Sequence, residues 1–135
     1  MAMSKSLVIL VALKLGLGLA VPAALADEAY DRCMKQANAT TMAFSNCGGD
    51  WMKREDDKLN AAWKRVFAQA EGQTKTDLLE EQRAWIAFKD KACGFYANGD
   101  WGTEGRAIQY PMCQAGIIAA RTRDIDAIGK FLAPK

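Results

Sequence analysis

The residues best suited to chemistry by type are four cysteines, Cys33, Cys47, Cys93 and Cys113, which stand 14, 46 and 20 positions apart. Thiol redox chemistry favours a Cys-x-x-Cys pair, and a structural zinc site favours ligands about two to four positions apart, often with histidine. The chain has neither spacing, and it has no histidine at all. An even number of well-separated cysteines reads instead as two disulfides, provided the chain is exported. Three connectivities are open. Cys33 with Cys47 and Cys93 with Cys113 is the preferred set, because each pair brackets a turn-rich segment that would otherwise be loose. Closing a loop of about 15 residues contributes roughly 3 kcal/mol in the chain-entropy account, a large share for a small domain.

Other chemistry is poorly provided for. Without histidine, the commonest general base and the usual partner of a serine or cysteine nucleophile is missing. Ser45 is the one serine after residue 26. The acidic runs Glu55-Asp56-Asp57 and Glu80-Glu81 could supply a carboxylate pair, but adjacent residues on a helix point apart, so these read as solvated faces. No catalytic residue, metal or cofactor is assigned, and an enzyme is not expected. Gln82, Arg83, Lys89 and Asp90 are polar residues around Trp85, and with Asp57, Asn60 and Arg121 they are expected to form a buried polar network that fixes helix packing. The recognition candidates are Tyr96, Trp101, Arg106 and Tyr110, in a glycine-rich stretch that a Cys93 to Cys113 bridge would tether.

Helices must position these groups. From Asp27 onward apolar residues recur at three and four positions, and no stretch alternates with period two for long, so the expected fold is all-α, a small disulfide-stabilised bundle of about four helices. The first spans Glu28 to Gln36. Thr40 or Thr41 caps a second, which is kinked at Gly48-Gly49 or begins only at Asp50. Its apolar stripe is Met52, Leu59, Ala62, Trp63, Val66, Phe67 and Ala70, and Gly72 ends it. Thr74-Lys75-Thr76-Asp77 has the form of a capping box for a third helix, Lys75 to Phe95, with Leu78, Gln82, Trp85, Ile86, Lys89 and Cys93 inward. Tyr96 to Met112 reads as irregular loop. Pro111 suits the first turn of a last helix that buries Cys113, Ile117, Ile118, Arg121, Ile125 and Ile128 and ends at Gly129.

Residues 1–26 read as a secretory signal. Lys5 precedes an apolar run from Leu7 to Val21, Pro22 breaks it, and Ala24-Leu25-Ala26 puts small residues where a signal peptidase reads, so cleavage is expected after Ala26. Lys14 interrupts the run, which is too short for a membrane span of roughly 20 apolar residues. No cysteine lies near the cleavage point, so a lipid anchor is not expected. Lys5 and Lys14 leave with the signal, which reduces 18 basic residues to 16 against 16 acidic. The mature chain, residues 27–135, is therefore formally neutral and offers no basic footprint for nucleic acid. It is one small domain, periplasmic or secreted, with no later membrane span.

The motifs resemble those of the LprI family, small exported bacterial domains typified by a lysozyme inhibitor. The likeness lies in Cys33, Cys47, Asp56-Asp57-Lys58-Leu59-Asn60 and Trp63. It continues in Glu81-Gln82-Arg83-Ala84-Trp85 with Phe88, Asp90 and Cys93, and in Cys113, Arg121 and Ile125. Lys89 stands where the family usually has Arg, Ile125 where it has Leu, and Gly48-Gly49 where it has helix formers. The resemblance implies a helical disulfide-bonded fold, no catalysis, and a protein partner, a lysozyme. The alternative is a structural or assembly role in a cell-envelope or secretion complex, with no inhibition.

Overall fold

The computed structural model describes residues 27–134, so the expected signal peptide lies outside the described residues. Four helices carry the domain: α1 (Glu28–Gln36), α2 (Thr41–Phe67), α3 (Gly72–Ala92) and α4 (Tyr110–Leu132). Among the described residues there is no strand. Two bridges tie the ends together, Cys33 to Cys47 between α1 and α2, and Cys93 to Cys113 between the end of α3 and the start of α4.

Local chemistry explains where α1 and α2 begin. The Asp27 carboxylate accepts hydrogen bonds from the amides of Ala29 and Tyr30 at 2.8 and 3.1 Å, and Thr40 Oγ1 accepts from Ala43 at 3.2 Å. Each satisfies an amide that a helix start leaves unpaired. Between them the chain reverses through Asn38 and Ala39, both at positive φ.

Asp27 also reaches across to α2, where Arg54 Nε donates to its Oδ2 at 2.9 Å. Partial burial alone would raise the carboxyl pKa, but the Arg54 bond and charge and the two amide bonds outweigh it and hold the group below 3.8. A depressed folded-state pKa contributes stability that is present above the unfolded value and lost as pH falls through the folded one. The wild type should therefore lose stability on acidification below about pH 4. Asp27→Ala should cost about 1 kcal/mol at neutral pH through the lost cap. Asp27→Asn should keep most of the cap yet show a flatter acid limb in thermal melts across this range.

Several elements differ from the sequence-based expectation. Helix α2 runs unbroken through Gly48-Gly49, because Gly48 is where Pro111 packs: a Cβ there would lie 2.5 Å from Pro111 Cγ. The capping box at Thr74 does not form. Helix α3 starts earlier, at Gly72 with φ +52°, and Asp77 inside it accepts from Gln73 Nε2 at 2.8 Å instead. It also stops at Ala92, short of Phe95, where the chain tightens into a 3₁₀ turn. Helix α4 continues past Gly129 to Leu132, since that glycine gives Val66 room to approach the helix backbone. Ile86 is exposed rather than inward, whereas Trp85, also expected inward, is half-buried and packs on the core.

The core has two parts, one built mainly on the pairing of α2 with α4 and the other mainly on that of α1 with α2. Leu59, Ala62, Val66, Ala70 and Leu78 pack with Ile118 and Ile125 at one end. At the other, Tyr30, Ala37, Cys47, Trp51 and Ala115 form a second cluster, with Tyr30 and Trp51 rings 4.6 Å apart. The first disulfide is thus part of the packing that holds α1 down, and the second fixes the connection that carries the candidate site.

Candidate partner-binding surface

The segment between the second pair of cysteines is not an irregular loop. It is a chain of short helical turns: 3₁₀ at Gly94–Ala97 and Gly99–Trp101, one α-turn at Gly102–Glu104, and a π-helical stretch at Gly105–Gln109 that leads into α4. Three glycines in seven positions read as breakers, whereas two of them, Gly102 and Gly105, have a use within the turns. Asn98 Oδ1 caps the second turn by accepting from Asp100 N at 3.0 Å, and Gly102 takes φ +60°. Gly105 is buried, and a Cβ on it would collide with the Trp101 side chain and the Tyr96 carbonyl.

That close approach assembles an aromatic knot. Phe95 and Tyr96 have ring centroids 4.1 Å apart, Tyr96 and Trp101 5.0 Å, and Phe95 and Trp101 6.1 Å, the last two edge to face. Such arrangements contribute about 0.5–1.5 kcal/mol per pair beyond area burial. Phe95 and Trp101 are each 49% exposed, so the knot presents two large apolar faces to solvent. Cys93, fully buried, anchors its base to Cys113.

Of the four recognition candidates, Tyr96 and Trp101 meet in this knot. Arg106 is the exposed residue of the π turn and makes no ion pair among the described residues. Tyr110 is half-buried at the start of α4 and lines a separate cleft with Gly49, Met52, Lys89 and Gln114. Phe95 was missed, having been read as the end of α3; its adjacency to Tyr96, just after Gly94, was the available signal.

The polar residues divide as well. Arg121, 5% exposed, donates through Nε and Nη2 to Gln82 Oε1 at 2.9 and 2.8 Å and through Nη2 to Glu81, with Trp85 under its guanidinium at 5.6 Å. This is a packing link between α3 and α4, and Glu81 was not foreseen in it. Asp57 and Asn60 do not join it. They lie on the outer face of α2, where Asp57 pairs with Lys53 at 2.7 Å and Asn60 bonds Asp56 at 3.0 Å. Arg83 is exposed, and Lys89 pairs with its exposed neighbour Asp90 at 3.0 Å. Asp57, Asn60, Arg83 and Asp90 stand outside the buried link because the helix period turns them away from Arg121, whereas Lys89 shares the face of Gln82 but lies two turns further along α3.

Among the described residues no group of three or more His, Cys, Asp or Glu side chains is placed to hold a metal ion, and no helix is long and apolar enough to cross a membrane. Compared with models of protein families, the sequence matches the one described as Lysozyme inhibitor LprI over residues 33–125. The chain belongs to the LprI family. The matched region opens on Cys33, takes in both disulfides and the whole aromatic knot, and closes on the buried Ile125. No curated protein and no solved structure matches the chain.

Proposed function

We propose that this LprI-family chain is exported, is cleaved after Ala26, and acts over residues 27–135 as a non-enzymatic inhibitor of a lysozyme-type enzyme in the periplasm or outside the cell. The aromatic knot of Phe95, Tyr96 and Trp101, with Arg106 at its edge, docks against the enzyme's substrate cleft. One observation carries the reading: large rings are held half-exposed by Gly105 and a buried disulfide, an arrangement that stabilises no core and suits a preorganised contact. Family membership supplies the class of partner. Processing after Ala26 would leave Asp27, the cap of α1, as the first residue of the mature domain.

Purified protein with both disulfides, titrated into lysozymes of several classes, tests the reading directly. The expected result is a stoichiometric loss of cell-wall lysis with at least one class. Full lysis by every class at micromolar excess of the protein, with no complex on size-exclusion chromatography, would overturn it. Recovery of a stable envelope complex that contains no lysozyme would favour an assembly role instead.

A further inference from the structure

Gly49 has no packing reason to be glycine. It lies inside α2, where glycine costs about 1 kcal/mol relative to alanine, and a Cβ added there meets nothing within 4 Å. Its neighbour Gly48 touches Pro111, so the two glycines have different causes. The space beside Gly49 is a cleft of about 440 Å³ between α2, the end of α3 and the start of α4. That is within the range of about 300–1,000 Å³ usual for small-ligand sites.

The walls of the cleft mix opposite kinds of group. Met52 and the Tyr110 ring supply apolar surface, Asp56 a carboxylate, Lys89 an ammonium and Gln114 a carboxamide. Gln114 is 3% exposed, and its Nε2 is committed to the Lys89 carbonyl at 2.8 Å, which leaves its Oε1 acceptor for the cleft that the side chain lines. Each lysine at the cleft already stands beside an acid, Lys89 by Asp90 at 3.0 Å and Lys53 by Asp57 at 2.7 Å. Both lysines are thus already matched, which leaves no free cation to select an anion, and the remaining carboxylate, Asp56, accepts from Asn60 at 3.0 Å. Paired lysines, donors and acceptors side by side, and Tyr110 with Met52 in the wall favour a neutral ligand that carries both hydroxyls and a C–H face.

We infer that this cleft binds a neutral sugar ring. Its hydroxyls meet Asp56, Lys89 and Gln114 Oε1, its C–H face lies on Tyr110 and Met52, and Gly49 lets it approach the backbone of α2. The site is independent of the inhibitory surface and stands or falls separately from it. A free oligosaccharide and a cell-wall glycan strand share this chemistry.

The test is NMR titration of the ¹⁵N-labelled, disulfide-bonded protein with an N-acetylglucosamine trisaccharide and, in a second arm, with soluble cell-wall glycan. Blocked acidic and basic peptides serve as controls. Saturable shifts at the amides of Gly49, Tyr110 and Gln114 are expected. The trisaccharide alone sufficing identifies a short sugar as the ligand, and response only to the strand identifies the polymer. Gly49→Ala should raise the melting temperature, as a better helix former, yet weaken sugar binding about tenfold or more, and Gly49→Met should abolish it. Absence of saturable shifts in both arms, sugar binding unchanged in both Gly49 variants, or shifts at the cleft with peptides alone would overturn the assignment.

Discussion

Replacing both Cys93 and Cys113 by alanine is expected to lower stability by about 3 kcal/mol in the chain-entropy account of a loop of this length. For a domain of this size that corresponds to a fall in melting temperature of roughly 10–20 °C. The effect should be uneven along the chain. Cys93 is fully buried at the point where α3 gives way to 3₁₀ turns, and the bridge is the covalent tie across the segment that carries Phe95, Tyr96 and Trp101. Amide exchange at Gly94–Gln109 should therefore accelerate more than exchange in the α2–α4 core around Val66 and Ile125. Inhibition should fall further than the global stability loss requires, because the knot loses its preorganisation. The same double substitution at Cys33 and Cys47 should release α1 and leave inhibition largely intact at temperatures where the remainder stays folded. Equal losses of inhibition in the two variants at matched stability would contradict this division of labour.

The second large effect is on the contact itself. Trp101→Ala and Phe95→Ala each remove an exposed ring from the centre of the proposed surface, and truncation of a central aromatic anchor commonly costs at least about 2 kcal/mol of binding, near thirtyfold in affinity. Stability should change far less. Both side chains are half-exposed, so folding gains only part of the burial energy that a core aromatic would supply. An inhibition assay and a thermal melt on the same preparations separate the two quantities. Tyr110→Phe, a conservative change on the separate cleft, should leave inhibition as it is.

How far the structure was legible in the sequence depended on what sets each element. Helix α1 matches its expected span, Glu28 to Gln36, because its ends are set locally, by the Asp27 cap and the reversal at Asn38 and Ala39. The α2 stripe was readable as far as Val66, because Leu59, Ala62 and Val66 follow helical period; the helix ends at Phe67 rather than at Gly72, and Ala70 joins the same core from the turn before α3. Gly48 and Gly129 misled for a common reason. They read as breakers in isolation, while in the fold they admit Pro111 and Val66 at close range, a cause that lies far away in sequence. The Thr74 capping box was a local signal in competition with Gly72, which starts α3 in a backbone conformation open to glycine.

The site was legible in part. Composition pointed to the stretch between Cys93 and Cys113, and aromatic residues with Arg106 marked it as a surface for recognition. Its shape was not accessible. A π-helical stretch has no sequence signature comparable to a capping motif, and it re-aims the following side chains enough to send Tyr110 to a different cleft. The pairing of Arg121 with Gln82 and Glu81 was half anticipated; of the five residues wrongly drawn into it, Asp57 and Asn60 are satisfied within α2, Lys89 and Asp90 pair with each other, and Arg83 is exposed.

The most direct measurement is hydrogen–deuterium exchange of the mature, disulfide-bonded protein, free and in the presence of a lysozyme that it inhibits. New protection is expected in Gly94–Gln109, with the outer face of α2 around Asp57 unchanged. Protection confined to α1 or to that outer face, with Gly94–Gln109 exchanging as in the free protein, would contradict the proposed docking.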